Sequence, residues 1–373
     1  MKKRDLLCTA VFCLFLAAGT LFLLFAPKQQ YSQREKRYLA KFPQVSWESV
    51  LSGETGKALE DWTADHFPFR DFFVGVDAYG KLLQGRNAQQ DVYYAKDGYL
   101  IAEPASSDLT IFETSLKRFE AFSENCGIPA SLILVPSTGY LREDLLPLGA
   151  KQYPDGQMFD TAASILKQVQ LCDYRDELRV ADETKAVCYR TDHHLTSYGN
   201  EVLYEAWCRG RELDFLPQDQ YRIEQAEGFC GTAWSGSGYW LTRADTLELW
   251  DCGADVTVTI TDGGEAPVTS DSLFFRTHLQ ELDQYPVFLD GNHCQVEIHN
   301  SDAPEGTILL IKDSYANCFA TFLTQQYETV ILLDLRYYRG SISQLIAEKN
   351  VNEILFFYGT STLLTDTNSA WLF

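Results

Sequence analysis

Leu6 to Phe25 runs without a charged residue. A helix of about twenty residues, rising ~1.5 Å per residue, covers the roughly 30 Å hydrocarbon layer of a bilayer. The stretch therefore predicts a transmembrane anchor at 6–25 with residues 1–5 (Lys2, Lys3 and Arg4 against Asp5) as a short amino-terminal tail, and charge alone does not orient it, because Lys28, Arg34, Lys36, Arg37 and Lys41 crowd the other flank. A cleaved signal peptide is the alternative. Its apolar region ordinarily stops at about 15 residues and ends in small side chains, and Phe25-Ala-Pro-Lys28 offers no such site.

Charge is distributed unevenly behind that anchor. In the first 45 residues Lys2, Lys3, Arg4, Lys28, Arg34, Lys36, Arg37 and Lys41 face only Asp5 and Glu35, yet the whole chain carries a net charge of −21. The remainder is strongly acidic and repels nucleic acid and anionic wall polymers at long range, so no nucleic-acid partner is expected. The basic collar suits lipid head groups. Of the 10 cysteines, Cys8 and Cys13 fall in the apolar run. Outside it are Cys126, Cys172, Cys188, Cys208, Cys230, Cys252, Cys294 and Cys318, where an oxidising exterior permits bridges. None has CxxC spacing, so structural bridges or buried thiols are expected, with Cys230 and Cys252, which bracket a hairpin-like segment, as the expected pair.

Residues 26–90 read as a juxtamembrane linker and two lead-in helical pieces, in which His66 packs rather than reacts. From Asp91 to Phe373 the pattern is α/β. Strands are expected at Val92–Tyr94 with Tyr99–Ile101, then Ser131–Val135, Thr307–Ile311, Thr329–Leu333 and Glu353–Tyr358. Helices are expected at Leu109–Cys126, Asp160–Leu171, Tyr198–Trp207, Ala316–Gln326 and Ser341–Lys349. Such alternation predicts a doubly wound, mostly parallel sheet with helices on both faces, and about 280 residues bury a full core. Gly228 to Asn300 departs from it: short strands at Leu247–Trp250, Val256–Ile260, Leu273–Phe275 and Gln295–Ile298, with Gly/Asp turns, predict a β-rich insertion. Ser235-Gly-Ser-Gly238 lacks the lysine of a phosphate loop.

Chemistry concentrates in Thr191-Asp-His-His-Leu-Thr-Ser-Tyr-Gly-Asn200. Asp192 and His194, two apart in extended chain, turn to the same side, just ahead of a helix that Thr196 or Ser197 caps. A serine hydroxyl is too weak an acid to ionise near neutral pH; it needs a base, and the base needs an orienting acceptor. Ser314 is the candidate nucleophile, because the strand Thr307–Ile311 runs into it at a strand-to-helix turn. On these residues alone, paired histidines equally suit a polar loop, and Asp-Ser a helix cap.

Thr191–Asn200 resembles the signature of the DHHW family, extracytoplasmic bacterial proteins related to the alginate O-acetylation proteins and, more distantly, to SGNH/GDSL hydrolases. Other pieces match in the family's order. Gln33 to Pro43 resembles "ENRxLxxxP", Asp65 to Asp71 resembles "DxFPxRD", and Asp91 to Leu100 resembles "VYxGKDGWL". Leu134–Ser137, Tyr285–Asn292 and Asp334–Tyr338 also fit. Two departures stand out: the family's tryptophan is Leu195 here, which loses an aromatic surface, and Lys312 replaces the glycine of the hydrolase Gly-Asp-Ser block.

The resemblance implies an SGNH-like fold in permuted order, since Asp192 and His194 precede Ser314, and together with the short amino tail it places residues 1–5 in the cytoplasm and the bulk of the chain outside. It implies a membrane-anchored serine acyltransferase or esterase of the O-acetylation type, with an envelope or secreted polysaccharide as acceptor and a multispanning membrane protein as acyl donor. Ser314, His194 and Asp192 would be its catalytic residues. Among substrate and oxyanion candidates, the Ser314 backbone N–H sits at a helix start, Asn292 follows by analogy with the SGNH Asn block, Ser137 and Thr138 end a strand on the right sheet edge, and His193 and Tyr315 flank the relay. Asn292 equally suits a plain hairpin turn. His278, His293 and His299 lack ligand-like spacing, so no metal or cofactor is expected. The rival reading is a non-catalytic glycan-binding or envelope-assembly protein that keeps the fold, a reading that Leu195 and Lys312 keep open.

Overall fold

The computed structural model describes residues 3–264 and 266–373, so Met1 and Lys2 of the expected tail lie outside the described residues. The chain forms two compact units, one of residues up to Gln90 with Ser235–Leu241, the other of Asp91–Trp234 with Thr242–Phe373.

In the first unit Lys3–Phe25 is one helix, and Arg4–Phe25 within it has a mean hydropathy of 2.4, long and apolar enough to cross a membrane. A signal sequence has the same properties. Three helices follow where two pieces are expected, at Trp47–Leu51, Glu54–His66 and Arg70–Leu83. Gly53, at φ 84°, stops the first after little more than a turn, and Phe67-Pro68 ends the second. Asp65 ties the preceding linker down, accepting from Arg37 Nη1 at 2.9 Å and from the Ala40 N–H at 2.8 Å. His66 stacks on Trp62 with ring centroids 5.1 Å apart.

The second unit is built on a large sheet, eight-stranded among the described residues. In chain order its strands are β1 Ala130–Val135, β2 Val169–Cys172, β3 Thr257–Thr261, β4 Val268–Ser270, β5 Gln295–His299, β6 Thr307–Lys312, β7 Thr329–Leu333 and β8 Glu353–Gly359. Their spatial order is β4-β3-β5-β7-β6-β8-β1-β2. The run β7-β6-β8-β1-β2 is parallel, and β5, β3 and β4 continue it antiparallel. The fold is thus mixed α/β with a mostly parallel sheet, as expected.

Side chains of the central strands alternate between two cores, the period-two consequence of the pleat. Leu309, Ile311, Ile331 and Phe356 share one core with Phe112, Phe119, Met158 and Leu345, from the helices Thr110–Cys126, Asp155–Ile165 and Ile342–Glu348. Ile308, Leu310, Leu332 and Phe357 share the other with Leu203, Trp207 and Phe319, from Ser197–Arg209 and Ala316–Leu323. Burial on both faces explains why β6 reads as a continuous apolar run instead of an alternating one. Because β6, β8 and β1 are parallel, Ser314, Thr360 and Ser137 all follow carboxyl ends on one sheet edge.

Several boundaries differ from expectation. Asp160–Leu171 is not one helix: the helix ends at Ile165 and Val169–Cys172 pairs with Ala130–Ile133 as an edge strand. Its apolar spacing satisfies either period, and the waiting parallel partner decides. Leu273–Phe275 forms only an isolated bridge, Phe274 with Phe288, and the strand forms earlier, at Val268–Ser270. Of the segment read as an insertion, β3, β4 and β5 extend the main sheet, Asp245–Asp251 pairs with Arg222–Phe229 in a separate ribbon, and Ser235–Leu241 belongs to the first unit.

Cys252 carries an unbridged thiol, so the expected Cys230–Cys252 bridge does not form. Burial pushes the thiols of Cys188, Cys208 and Cys318 up to about 12, which makes them inert packing groups.

The helix Ser197–Arg209 starts from Thr196, whose hydroxyl accepts from the Gly199 N–H at 3.0 Å. Gly199 is required there, since a Cβ would sit 2.4 Å from the Val187 carbonyl oxygen. Glu201, on the same helix, is buried beside Glu205, and its carboxyl is pushed up to about 7. Its charged form is therefore disfavoured in the folded state, and stability falls as pH rises from the ordinary carboxylate range through 7. Glu201→Gln removes that liability while keeping an acceptor for Gln218. Urea unfolding should show Glu201→Gln more stable than the parent by about 1–3 kcal/mol at pH 8 and nearly equal to it at pH 4.5.

Candidate active site

The Asp-His loop is closed before it presents anything. Cys188 and Leu195 form an antiparallel bridge, and the Thr196 N–H donates to Val187 at 2.8 Å. Asp245, absent from the sequence reading, anchors the same loop. Its carboxylate accepts from the N–H groups of Arg190 at 3.0 Å and Thr191 at 2.8 Å and from the Thr191 hydroxyl at 2.6 Å. Leu195 plugs the core at 2% exposure.

Asp192 is then held on both oxygens. Oδ1 accepts the His194 N–H at 3.0 Å and lies 2.5 Å from His194 Nδ1. Oδ2 accepts the Thr232 N–H at 2.7 Å and the Thr232 hydroxyl at 3.0 Å. His194 Nε2 lies 2.8 Å from Ser314 Oγ, across 120 positions of sequence. Tyr285 stacks on the imidazole at 3.9 Å and 10°, and Tyr315 tilts against it at 5.0 Å. The ring is fixed in plane, with a carboxylate on one nitrogen and a hydroxyl on the other. Such an arrangement can take a proton from the hydroxyl and stabilise the imidazolium that results.

Ser314 reaches this position because the turn after β6 is pinned by Asp313. That carboxylate, fully buried, accepts the N–H groups of Tyr315 at 2.9 Å and Gly359 at 3.0 Å, and burial pushes its carboxyl above the usual range. Gly359 is needed for the close approach, since a Cβ there would lie 2.4 Å from the Tyr315 ring. Ser314 itself stays partly exposed, just ahead of the helix Ala316–Leu323.

The remaining candidates divide. His193 is partly exposed, lies against His194 with centroids 3.9 Å apart, and faces the Thr232 hydroxyl at 2.6 Å. Tyr315 is buried, and its hydroxyl donates to the His193 carbonyl at 2.8 Å. The Ser137 hydroxyl donates to Asp155 at 3.0 Å; Ser137, Thr138, His193 and Tyr315 all line one cavity at the sheet edge. Asn292 is exposed and is tied through Oδ1 to the turn carrying Ser314. Asp192, His193 and His194 bring ligand-type atoms within 4.8 Å of one another. Both His194 nitrogens are already committed, so a cation held there would break the Ser314 contact. Gly231, Thr232, Asp245 and Tyr285 pack against or hold Asp192, His194 and their loop, and sequence alone does not point to them, because no spacing in the chain ties any of them to residue 192.

With the geometry in hand, residues 159–333 match the family model described as DHHW protein, which bears out the resemblance read from the sequence. A DHHW family protein from Eubacterium siraeum DSM 15702 has a similar structure, with a TM-score of 0.64, 20% identity and coverage of 76% of this chain and 95% of that one. Bacillus cereus PatB1, solved with a sulfonyl adduct, is similar at a TM-score of 0.63 and 18% identity, covering 74% of this chain and 97% of that one. At these identities the likeness establishes the fold. No curated protein matches the sequence.

Gly231 is where the relay tolerates least. Any Cβ there would fall 2.2 Å from Asp192 Cβ and 2.3 Å from its Oδ2. Gly231→Ala should cost about 1–3 kcal/mol of stability by overpacking and shift the His194 ring resonances, read by chemical denaturation and by histidine NMR.

Proposed function

We propose, taking the DHHW resemblance of residues 159–333 as the premise, that the protein is a serine acyltransferase of the O-acetylation type working outside the cytoplasm. Ser314 is the nucleophile, His194 the base and then the acid, and Asp192 the group that orients it. The observation that carries this reading is the continuous contact from Asp192 through His194 to Ser314.

In the first half-reaction Ser314 Oγ attacks the acyl carbonyl as its proton passes to His194 Nε2, and Asp192 stabilises the imidazolium. His194 returns that proton to the departing oxygen, leaving acyl-Ser314. In the second half His194 takes a proton from the acceptor hydroxyl, which attacks the acyl-enzyme, and the proton then returns to Ser314. Charge developing on the carbonyl oxygen is met by the Ser314 backbone N–H at the helix start and by the Asn292 side-chain amide.

The helix Lys3–Phe25 is assigned as an uncleaved anchor, holding the site at the membrane where a multispanning partner delivers the acyl group to an envelope or secreted polysaccharide. The order of base loop before nucleophile is the permuted SGNH arrangement. An esterase uses the same groups with water as acceptor.

PatB1 carries a sulfonyl adduct, which makes a sulfonyl fluoride the probe of choice here. Full-length protein in detergent should gain one adduct on Ser314 by intact and peptide mass. Ser314→Ala should take none, and His194→Ala should label about 10³–10⁴-fold more slowly. Labelling that persists at the same rate in Ser314→Ala overturns the assignment.

A further inference from the structure

Lys312 closes β6, two residues ahead of Ser314, and it is 2% exposed. The preceding residues, Ile308 to Ile311, are buried and apolar. A lysine buried at the end of such a strand costs desolvation, and a buried ion pair is often no better for stability than an apolar group of similar size. What its ammonium touches therefore matters more than its charge.

Lys312 Nζ donates to Asn317 Oδ1 at 2.8 Å and to Asn292 Oδ1 at 3.0 Å, with Asp334 Oδ2 at 3.7 Å. Asp334 also accepts from Arg336 Nε at 2.9 Å, so the cluster is not a simple pair. Asn317 lies in the turn that begins at Ser314, its N–H reaching the Ser314 carbonyl at 3.2 Å. Held by its oxygen, Asn317 gives its Nδ2 to the Gly291 carbonyl at 3.1 Å and to Asn292 Oδ1 at 3.2 Å.

Both groups that meet the Asn292 amide are donors, so they can only take its oxygen, and the two ends of that amide are told apart by chemistry. Oδ1 is thus the end of the amide that Lys312 and Asn317 hold. The backbone delivering Asn292 is unusual as well: Leu289, Asp290 and Gly291 have φ of 57°, 62° and 92°, a left-handed run that two non-glycine residues adopt only when their surroundings over-determine it.

We propose that Lys312 is a positioning residue: its ammonium, through Asn317 and directly, holds Asn292 by the oxygen so that Nδ2 is presented as the second oxyanion donor beside the Ser314 N–H. This rests on the acyl-transfer reading above and adds to it the reason a lysine stands where the hydrolase block has glycine. Burial pushes the ammonium down to about 8, with Asp334 and Asp313 opposing that and Arg336 adding to it. The group therefore remains largely charged at neutral pH.

The test is a mutant cycle on the full-length protein, with 4-nitrophenyl acetate as the probe. An oxyanion donor is worth about 10²–10³ in kcat, so Asn292→Ala should lose about that factor with KM changed less than about twofold. Lys312→Met, which loosens the donor without deleting it, should lose about 10–100-fold, and the double variant should be no slower than Asn292→Ala. Asn292→Asp keeps an acceptor for Lys312 while removing the donor; it should fold with the parent's melting temperature and lose kcat like Asn292→Ala. Losses that multiply in the double variant overturn the proposal, as does parental turnover in Asn292→Asp while Ser314→Ala is dead. Parental turnover in Ser314→Ala would instead defeat the acyl-transfer reading. NMR of the asparagine side-chain amides supplies a readout independent of turnover. An ordered Asn292 amide that becomes mobile in Lys312→Met supports the assignment, and one already mobile in the parent overturns it.

Discussion

The contact of Ser314 Oγ with His194 Nε2 joins two segments 120 residues apart, and much of the second unit serves to make it. Ser314 follows β6, which lies in the parallel run between β7 and β8, and His194 stands on a loop closed on itself and bolted to Asp245. Both ends are tied by several hydrogen bonds. Should the two groups react as proposed, being held within hydrogen-bond distance spares the entropic cost of bringing them together.

The same economy explains the buried polar groups. Asp192, Asp313 and Lys312 are buried and Asp245 is half-buried, and each is satisfied by several partners. Such groups offer little net stability compared with apolar replacements. They do specify direction: Asp245 fixes the loop that carries His194, Asp192 the His194 imidazole and Asp313 the turn that carries Ser314, while Lys312 bonds the Asn292 oxygen. Of the four, Asp313 draws on the sheet edge itself, accepting the N–H of Gly359 at the carboxyl end of β8.

How much of this the sequence carries depends on whether the signal is local. The strand β7 is legible to the residue, and β6 and β8 nearly so, because uninterrupted apolar runs between turn residues have few other readings. Ser314, His194 and Asp192 are legible because a spacing of two and a strand-to-helix turn are local patterns. Thr232 and Tyr285 are not, since their roles arise only when distant segments meet. Val169–Cys172 is misread as helix for a related reason: its partner, β1, lies outside any local window. Lys312 is visible as an exception to a family pattern, and only its contacts give the exception a physical meaning.

The proposed acyl transfer requires Ser314 to carry the acyl group between donor and acceptor. Rapid acid quenching after mixing full-length protein with an activated acetyl ester, followed by peptide mass mapping, tests it most directly. Acetyl is expected on the peptide holding Ser314, formed before the second product and absent in His194→Ala. Turnover that proceeds with Ser314 unmodified throughout, or with acetyl on another side chain in its place, contradicts it.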